Sequence, residues 1–185
     1  VSFFGGPLAE HCLDLLRTSD RLDPVAITTH APTRVILTVR TVGDPTAEPT
    51  AFFDPDPEIS GDEAEALHRA VEVTLASTPV QALTLSGSSP CRATDSLYSD
   101  LIALANTRSI PVFLDTYGPA LKSIWGFWPR VIQLNRREAA GYLGKSPAAL
   151  TDADLFKLLE EWGRHGVKLG LVTSGGAAAL AMAGG

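Results

Sequence analysis

The sequence contains few of the residues that mark several common classes of protein. Only two cysteines, Cys12 and Cys91, occur among 185 residues, which is too few for a disulfide framework and at no spacing typical of a metal site. No signal peptide is predicted, and no apolar run approaches the length of a membrane span. The 15 basic residues are outnumbered by 21 acidic ones and form no cluster, which argues against nucleic-acid binding. We therefore expect a cytoplasmic domain with neither a membrane nor a nucleic-acid partner.

Two common catalytic motifs are also incomplete. Gly144-Lys145-Ser146 resembles the end of a phosphate-binding P-loop, but Ala139 occupies the position of the first glycine, and a helix rather than a strand is predicted before it. Gly87 and Ser89 match part of a hydrolase nucleophile elbow, but Cys91 stands where that motif needs glycine. These departures exclude a P-loop nucleotide site and a serine-hydrolase elbow.

The pattern that is present predicts an α/β fold. Hydrophobic residues make up 45% of the chain and charged residues 19%, as in ordinary folded domains. Short apolar strands alternate with helices after residue 57, which is typical of right-handed βαβ units on a mostly parallel sheet. The predicted helices cover 8–17, 60–75, 94–107, 119–123, 136–143 and 151–163. The predicted strands of this part cover 80–86, 111–115, 131–134, 168–173 and 178–182.

The segment from about residue 25 to 57 has a different character. Strand-like runs cover 25–28, 34–41 and 50–53, and the second run alternates, with Val35, Leu37 and Val39 on one face. The prolines around the last run are typical of edge strands and connections. This pattern predicts a small β flap, or lid, over 25–57 and an α/β core over 58–185.

Candidate site residues follow the predicted core strands. Ligands bind at the carboxyl ends of parallel strands, and the strand ending near Leu134 is followed by Asn135 and, three residues later, Glu138. This pair fits a helix-capping box. It also fits a carboxylate that orders magnesium through water, because Mg²⁺ is usually held by one or two carboxylates together with phosphates. The residues alone leave both interpretations open.

Three other segments also allow two interpretations. The turn Ser86-Gly87-Ser88-Ser89-Pro90 could form a concave anion site or be an ordinary strand-to-helix turn. Arg34 could bind a phosphate through its guanidinium or be an exposed edge residue. Thr173-Ser174-Gly175-Gly176 could surround a nucleotide phosphate or form a hairpin turn.

Taken in chain order, these segments resemble the motifs of the PfkB, or ribokinase-like, carbohydrate kinases, within their phosphofructokinase and tagatose-phosphate kinase branch. The resemblance extends over nearly the whole chain, and it implies a three-layer αβα fold with a mostly parallel central sheet and a β lid. The matching segments are Thr33-Arg34, Ser86-Gly87-Ser88-Ser89-Pro90, Leu114-Asp115-Thr116-Tyr117-Gly118, Leu134-Asn135-Arg136-Arg137-Glu138 and Val172-Thr173-Ser174-Gly175.

The resemblance implies ATP-dependent phosphorylation of a hydroxyl of a sugar or sugar phosphate, with magnesium. Arg34 and Ser88 would bind the phosphate of the acceptor. The nucleotide would be bound by Asp115, Asn135, Glu138, Thr173 and Gly175, with Glu138 holding Mg²⁺ through water. The lid would close over the sugar to exclude water, and it could also form a homodimer interface.

The chain also departs from the family pattern. The glycine-rich substrate motif and the Gly-Ala-Gly-Asp motif, whose aspartate is the base, do not occur, and the base is expected beyond Gly185. Gln133-Leu134 stands where Lys-Pro is usual, and Ala177-Ala178 stands near a usual glycine. We therefore expect an internal part of such a kinase domain, inactive alone. Two alternatives stay open: a diverged, non-catalytic protein that binds a sugar phosphate or nucleotide, and a kinase for a nucleoside-like or vitamin-like acceptor.

Overall fold

The computed structural model describes residues 1–43, 49–124 and 126–184. The chain divides into two compact units, Val1–Ala70 and Val71–Gly185. The helices are α1 Ala9–Thr18, α2 Gly61–Ser77, α3 Leu97–Thr107, α4 Gly118–Ser123, α5 Arg136–Tyr142 and α6 Asp152–Arg164. The strands are β1 Ser2–Gly5, β2 Ala26–Thr29, β3 Ile36–Val39, β4 Thr50–Phe53, β5 Leu83–Ser86, β6 Val112–Asp115, β7 Val131–Asn135, β8 Leu169–Ser174 and β9 Ala177–Ala183.

The first unit contains a pair of parallel strands that the sequence pattern only half predicted. Strand β1, which was not predicted, pairs with β2 from Ser2 opposite Ala26 to Gly5 opposite Thr29. Helix α1 connects them, as expected for a βαβ-type crossover. A side chain at Gly5 would collide with the Ala31 carbonyl oxygen, so this close approach requires glycine. The strand predicted at 25–28 therefore exists, but it pairs with β1 rather than with the other strands of the predicted lid.

Strands β3 and β4 form a separate antiparallel hairpin, with Ile36 opposite Phe53 and Val39 opposite Thr50. The sequence pattern places Leu37 and Val39 on one face of β3, and every residue of both strands is exposed. The loop residues 44–48, which belong to the predicted lid, lie outside the described residues. The assignment of 25–57 as a lid stays a prediction.

Helix α2 begins with a capping box formed by Ser60 and Glu63. The Ser60 amide donates to Glu63 Oε2 at 2.7 Å, and the Glu63 amide donates to Ser60 Oγ at 3.2 Å. The His30 amide donates to the other carboxylate oxygen at 2.8 Å. Hydrogen bonds from the Ser60 and then the His30 backbone lower the pKa of Glu63, because they stabilise the ionised carboxylate. One side chain thus caps the helix and holds the loop after β2.

The second unit is built on a five-stranded sheet of order β5-β6-β7-β8-β9. The first four strands are parallel and β9 is antiparallel to β8, so the predicted mostly parallel α/β fold is confirmed. One face of the sheet carries Leu114, Ile132, Leu134 and Val172, none more than 2% exposed. Such apolar strands need helices packed over them. Among the described residues, no helix is both long and apolar enough to cross a bilayer.

Helix α6 completes this core. Its apolar stripe of Leu155, Leu158, Leu159 and Trp162 is at most 2% exposed, and the helix contacts β8 and β9. A side chain at Gly170 of β8 would lie 2.6 Å from Leu159 Cδ2, so glycine allows the helix to approach the strand. The predicted helices and strands of this unit are all found, with β5 beginning at Leu83 rather than near residue 80.

Candidate functional site

The parallel register brings the predicted site residues of the second unit to one edge of the sheet. Ser86 lies opposite Asp115, Asp115 opposite Gln133, and Asn135 opposite Thr173. These residues end β5, β6, β7 and β8 at or near their carboxyl ends. Ser88 and Gly175 follow in the loops after β5 and β8, and Glu138 lies in the first turn of α5. Six of the seven predicted site residues therefore share this edge.

The turn after β5 is held in place by two side chains. The Tyr98 hydroxyl donates to the Ser86 carbonyl at 2.7 Å, and Thr116 Oγ1 donates to the Gly87 carbonyl at 2.6 Å. The Gly87 amide donates to the Asp115 carbonyl at 3.1 Å, and its φ of 105° lies in the region that favours glycine. These bonds fix the chain direction just before Ser88.

The two serines of this turn differ in their contacts. Ser89 Oγ lies 2.8 Å from Asp95 Oδ1, 2.7 Å from Thr94 Oγ1 and 2.9 Å from the Cys91 carbonyl oxygen. Ser88 forms no side-chain hydrogen bond with any described residue, although it is half-buried. Ser89 therefore anchors the loop, and the hydroxyl of Ser88 is available to a ligand.

Tyr98 is a protonated donor at this edge. Burial, and then the negative charge of Asp115, raise the pKa of Tyr98 to about 12. Both effects disfavour the phenolate. The hydroxyl therefore keeps its proton at neutral pH and continues to donate to the Ser86 carbonyl.

Asn135 and Glu138 form the capping box that the sequence allowed. The Asn135 amide donates to Glu138 Oε2 at 2.8 Å, and the Glu138 amide donates to Asn135 Oδ1 at 2.9 Å. The capping interpretation is thus confirmed, and the magnesium interpretation stays a prediction. Glu138 Oε1 has no hydrogen-bond partner among the described residues, so one carboxylate oxygen remains open to water or a ligand.

The donor set fits a hydrated magnesium ion better than a fully protein-bound metal. Among residues 1–43, 49–124 and 126–184, no group of three or more His, Cys, Asp or Glu side chains could hold a metal ion. Mg²⁺ keeps several waters and is commonly bound by one or two carboxylates plus substrate phosphates. A single carboxylate at Glu138 is compatible with that mode.

Thr173 and Gly175 lie where β8 turns into β9. The pairing register shifts between Val172 and Ser174, so the ladder is irregular at Thr173; bulges, one form of such irregularity, redirect side chains and recur beside active sites. Ser174 pairs with Ala177, so Gly175 and Gly176 form a two-residue hairpin turn, with Gly175 at a φ of 61°. The hairpin interpretation is confirmed, while contact of this turn with a nucleotide stays a prediction.

Arg34, the seventh predicted residue, belongs to the first unit. It lies just before β3, and its guanidinium forms an ion pair with Asp56. The adjacent Val35 amide donates to Asp54 Oδ2 at 2.9 Å, so the two acidic residues after β4 tie down the base of the hairpin. A phosphate bound by Arg34 would have to compete with, or bind beside, the carboxylate of Asp56.

A cleft of about 530 Å³ lies beside the capping box, between α4 and α5. It is lined by Asn135 and Glu138 and by six residues that were not among the predicted site residues: Tyr117, Gly118, Lys122, Arg137, Gly141 and Tyr142. The topology could have indicated that these residues lie close together, because α4 follows β6 and α5 follows the neighbouring strand β7. Burial and the charge of Glu161 raise the pKa of Tyr142, so its hydroxyl stays protonated.

The fold is similar to those of solved phosphofructokinases. A Thermotoga maritima protein described as a possible 1-phosphofructokinase matches with a TM-score of 0.83 at 20% identity, over 98% of this chain and 56% of that chain. The tetrameric inhibited form of Escherichia coli phosphofructokinase-2 matches with a TM-score of 0.79 at 22% identity, over 98% of this chain and 58% of that one. The complex of that enzyme with fructose-6-phosphate gives 0.76 at 22% identity, with the same coverage.

These matches confirm the predicted fold. The resemblance to the phosphofructokinase branch holds at the level of structure, and the chain spans only 56–58% of the length of these three solved chains. No protein-family profile matches the chain, and no curated protein matches it.

Proposed function

We propose that this chain carries the nucleotide-binding and acceptor-binding parts of a kinase that phosphorylates a sugar or sugar phosphate. The observation that carries the proposal is the meeting of Asp115, Asn135 and Thr173 at one edge of a parallel sheet. In sheets of this kind ligands bind at that edge. The fold shared with phosphofructokinases is consistent with this chemistry, although fold alone does not determine function.

In the proposed reaction the acceptor hydroxyl oxygen forms a bond to the γ-phosphorus of ATP. The bond from that phosphorus to the β,γ-bridging oxygen breaks, and the hydroxyl proton passes to a base. The products are ADP and a phosphate ester. The Gly-Ala-Gly-Asp motif that would supply the base does not occur in these 185 residues. We therefore expect this chain to show binding rather than turnover.

Two groups of residues would position the substrates. Asn135 and Glu138 would hold hydrated Mg²⁺, which neutralises charge on the phosphates, while Asp115, Thr173 and Gly175 would lie along the nucleotide. Ser88, whose hydroxyl has no partner among the described residues, would contact the phosphate of the acceptor. Arg34 would complete that contact, since a guanidinium binds phosphate through two parallel hydrogen bonds. The solved complex of phosphofructokinase-2 with fructose-6-phosphate supports a phosphorylated acceptor.

Isothermal titration calorimetry of the chain with ATP·Mg²⁺ and with fructose 6-phosphate tests the proposal. Glu138→Gln is the informative variant, because glutamine preserves a capping box but removes the charge. We expect it to weaken Mg²⁺-dependent ATP binding by about tenfold, while Glu160→Gln on the exposed face of α6 has no effect. Absence of binding for both ligands by the wild-type chain would refute the proposal.

A non-catalytic binding protein is the second candidate. Gln133 stands where the PfkB-type kinases that this chain resembles usually have lysine. The loss of that positive charge favours the non-catalytic candidate. Both candidates predict binding, and neither predicts ADP release by this chain, so an assay with ATP·Mg²⁺ and fructose 6-phosphate separates them only if the phosphate ester forms. Stoichiometric ADP and phosphate-ester formation by this chain would establish a kinase and would contradict the expectation that its base is missing.

The exposed hairpin supports a homodimer interface at the predicted lid. Leu37 and Phe52 lie opposite each other on one face of the hairpin and are 58% and 59% exposed, and contiguous exposed apolar residues usually mark a contact surface. A second copy of the chain would cover them, and one solved neighbour is a tetramer. Sedimentation equilibrium should show a dimer that Leu37→Glu dissociates. A wild-type chain that stays monomeric at high micromolar concentration would exclude this interface.

The cytoplasmic location stays a prediction.

A further inference from the structure

The cleft between α4 and α5 contains two positive charges that the proposed function has not used. Lys122 lies in the last turn of α4 and Arg137 in the first turn of α5, and both line the cleft beside Asn135 and Glu138. Both cations are exposed. Within the described residues, neither has a carboxylate within 4 Å. The adjacent Arg136, by contrast, pairs with Asp152 at 2.7 Å and donates to the Leu150 carbonyl at 2.9 Å.

The charge balance of this cleft favours an anion. Glu138 is the only acidic residue that lines it within the described part of the chain, and one of its carboxylate oxygens already accepts the Asn135 amide at 2.8 Å. The cleft therefore contains two positive charges and one negative charge, and the carboxylate that carries the negative charge already accepts one hydrogen bond. A concave surface of one net sign concentrates ions of the opposite sign, so a ligand with several negative charges fits better than a neutral one.

The shape and the donor types narrow the ligand class further. A volume of about 530 Å³ lies within the usual range for small-molecule sites. The guanidinium of Arg137 can bind two phosphate oxygens at once, and the ammonium of Lys122 acts as a mobile point charge. The carboxylate of Glu138 would repel a bare polyanion, but it suits one that carries a hydrated divalent cation.

We propose that Lys122 and Arg137 form the polyphosphate-binding part of the nucleotide site, one on each side of the cleft. This inference rests on the proposed function, because it assigns these two cations to the nucleotide bound at the same sheet edge. Neither residue is proposed to take part in proton transfer. Their role is to bind phosphate oxygens and so to set the affinity for the nucleotide.

Calorimetry with three probes tests the proposal: ATP·Mg²⁺, inorganic tripolyphosphate with Mg²⁺, and adenosine. The variants are Lys122→Gln, Arg137→Gln and the double variant. We expect each single change to weaken binding of the first two probes by about fivefold and the double change by about twentyfold, since each exposed cation contributes modestly. Lys122→Arg should restore most of the affinity. Adenosine binding should not respond to any of these changes.

The matched control is Lys157→Gln combined with Arg164→Gln on α6. It removes the same charge from exposed positions outside the cleft, so it should leave all three affinities unchanged. Should a glutamine variant fail to fold, wild-type binding supplies the second measurement. Tripolyphosphate affinity should then fall steeply as ionic strength rises, and an affinity independent of salt would overturn the proposal.

The outcomes separate the two proposals. If the wild-type chain binds ATP·Mg²⁺ and the cleft variants bind it equally well, the assignment of Lys122 and Arg137 is wrong and the proposed function stands. If the chain binds tripolyphosphate through these cations but not ATP·Mg²⁺, the anion site stands and the proposed function fails. Binding of neither probe would overturn both.

Discussion

The β3–β4 hairpin and the β5–β8 sheet are made of similarly apolar strands, yet their burial is opposite. In the sheet, Leu114 and Ile132 are 2% and 0% exposed. In the hairpin, Leu37, Phe52 and Phe53 are 58%, 59% and 62% exposed. Apolar, β-branched and aromatic residues therefore indicate a strand in both regions, but they do not indicate what covers it.

The difference between the two regions comes from their connections. Strands β5, β6 and β7 are each followed by a helix before the next parallel strand, and these crossovers place apolar helix faces over the sheet. Between the two hairpin strands, the described residues 40–43 and 49 contain no helix. A two-stranded hairpin is marginally stable in water by itself, and its apolar side chains gain most from contact with another surface. The same composition thus builds a core in one place and offers a contact surface in the other.

Truncation of one buried and one exposed aliphatic residue tests this comparison most strongly. Ile132→Ala should lower the free energy of unfolding by about 3 kcal/mol, because it leaves a cavity in a close-packed core. Leu37→Ala should cost less than about 1 kcal/mol when the chain is monomeric. Both values come from denaturant titration, followed by tryptophan fluorescence for the second unit, which contains all three tryptophans, and by far-UV circular dichroism for the whole chain. Equal losses would contradict the burial assigned to the hairpin.

Removal of the helix cap at Asn135, at the edge of the sheet, should have a smaller effect on the free energy of unfolding. Asn135→Ala removes the acceptor for the Glu138 amide and should lower the free energy of unfolding by about 1 kcal/mol. Asn135→Asp keeps an acceptor oxygen and should retain most of the stability. The comparison separates the cap from a ligand role, since both variants lose the amide group but only the first loses the helix cap. Loss of stability in both to the same extent would show that the cap is not the stabilising element.

The sequence predicted the second unit well because its local signals agree with its tertiary structure. Asn135 with Glu138 indicates the start of a helix, and apolar runs followed by polar turns indicate parallel strands. The first unit was harder to predict. Strand β1 is only four residues long, and it is defined by pairing with β2 across 20 intervening residues. No local pattern in Ser2–Gly5 expresses such a long-range pairing.

The position of a candidate site residue in the fold could be predicted from the sequence only where a strand leads to it. Asp115, Asn135 and Thr173 could be predicted because each ends a strand of the parallel sheet. Lys122 and Arg137 could not, because each is an unremarkable helix residue until α4 and α5 are placed beside each other. Ser88 and Ser89 are indistinguishable in sequence, and only the hydrogen bonds of Ser89 show which of the two is engaged by the loop.

The smallest expected effect concerns the exposed ion pair that joins the loop after α5 to α6. Lys145 Nζ lies 2.7 Å from Asp154 Oδ1, and Thr151 donates to the same carboxylate through its hydroxyl at 2.7 Å. The bond from Lys145, followed by those from Thr151, holds the pKa of Asp154 well below its ordinary value of 3.8. A carboxyl with a lowered pKa stabilises the folded state above its ordinary pKa, and this contribution is lost as the pH falls toward the folded pKa.

Lys145→Gln should therefore lower the midpoint of urea unfolding at about pH 7, and the difference from wild type should shrink as the pH falls below about 4. The shift should be small, because exposed pairs are weakened by solvent and salt. Lys157→Gln, an exposed lysine on α6 outside the pair, supplies the charge-matched control and should show no pH-dependent difference. A Lys145→Gln difference that stays constant down to low pH would mean that Lys145 stabilises the loop by packing rather than by charge. Packing, which stabilises the buried strands of the sheet, would then also stabilise this exposed loop beside it.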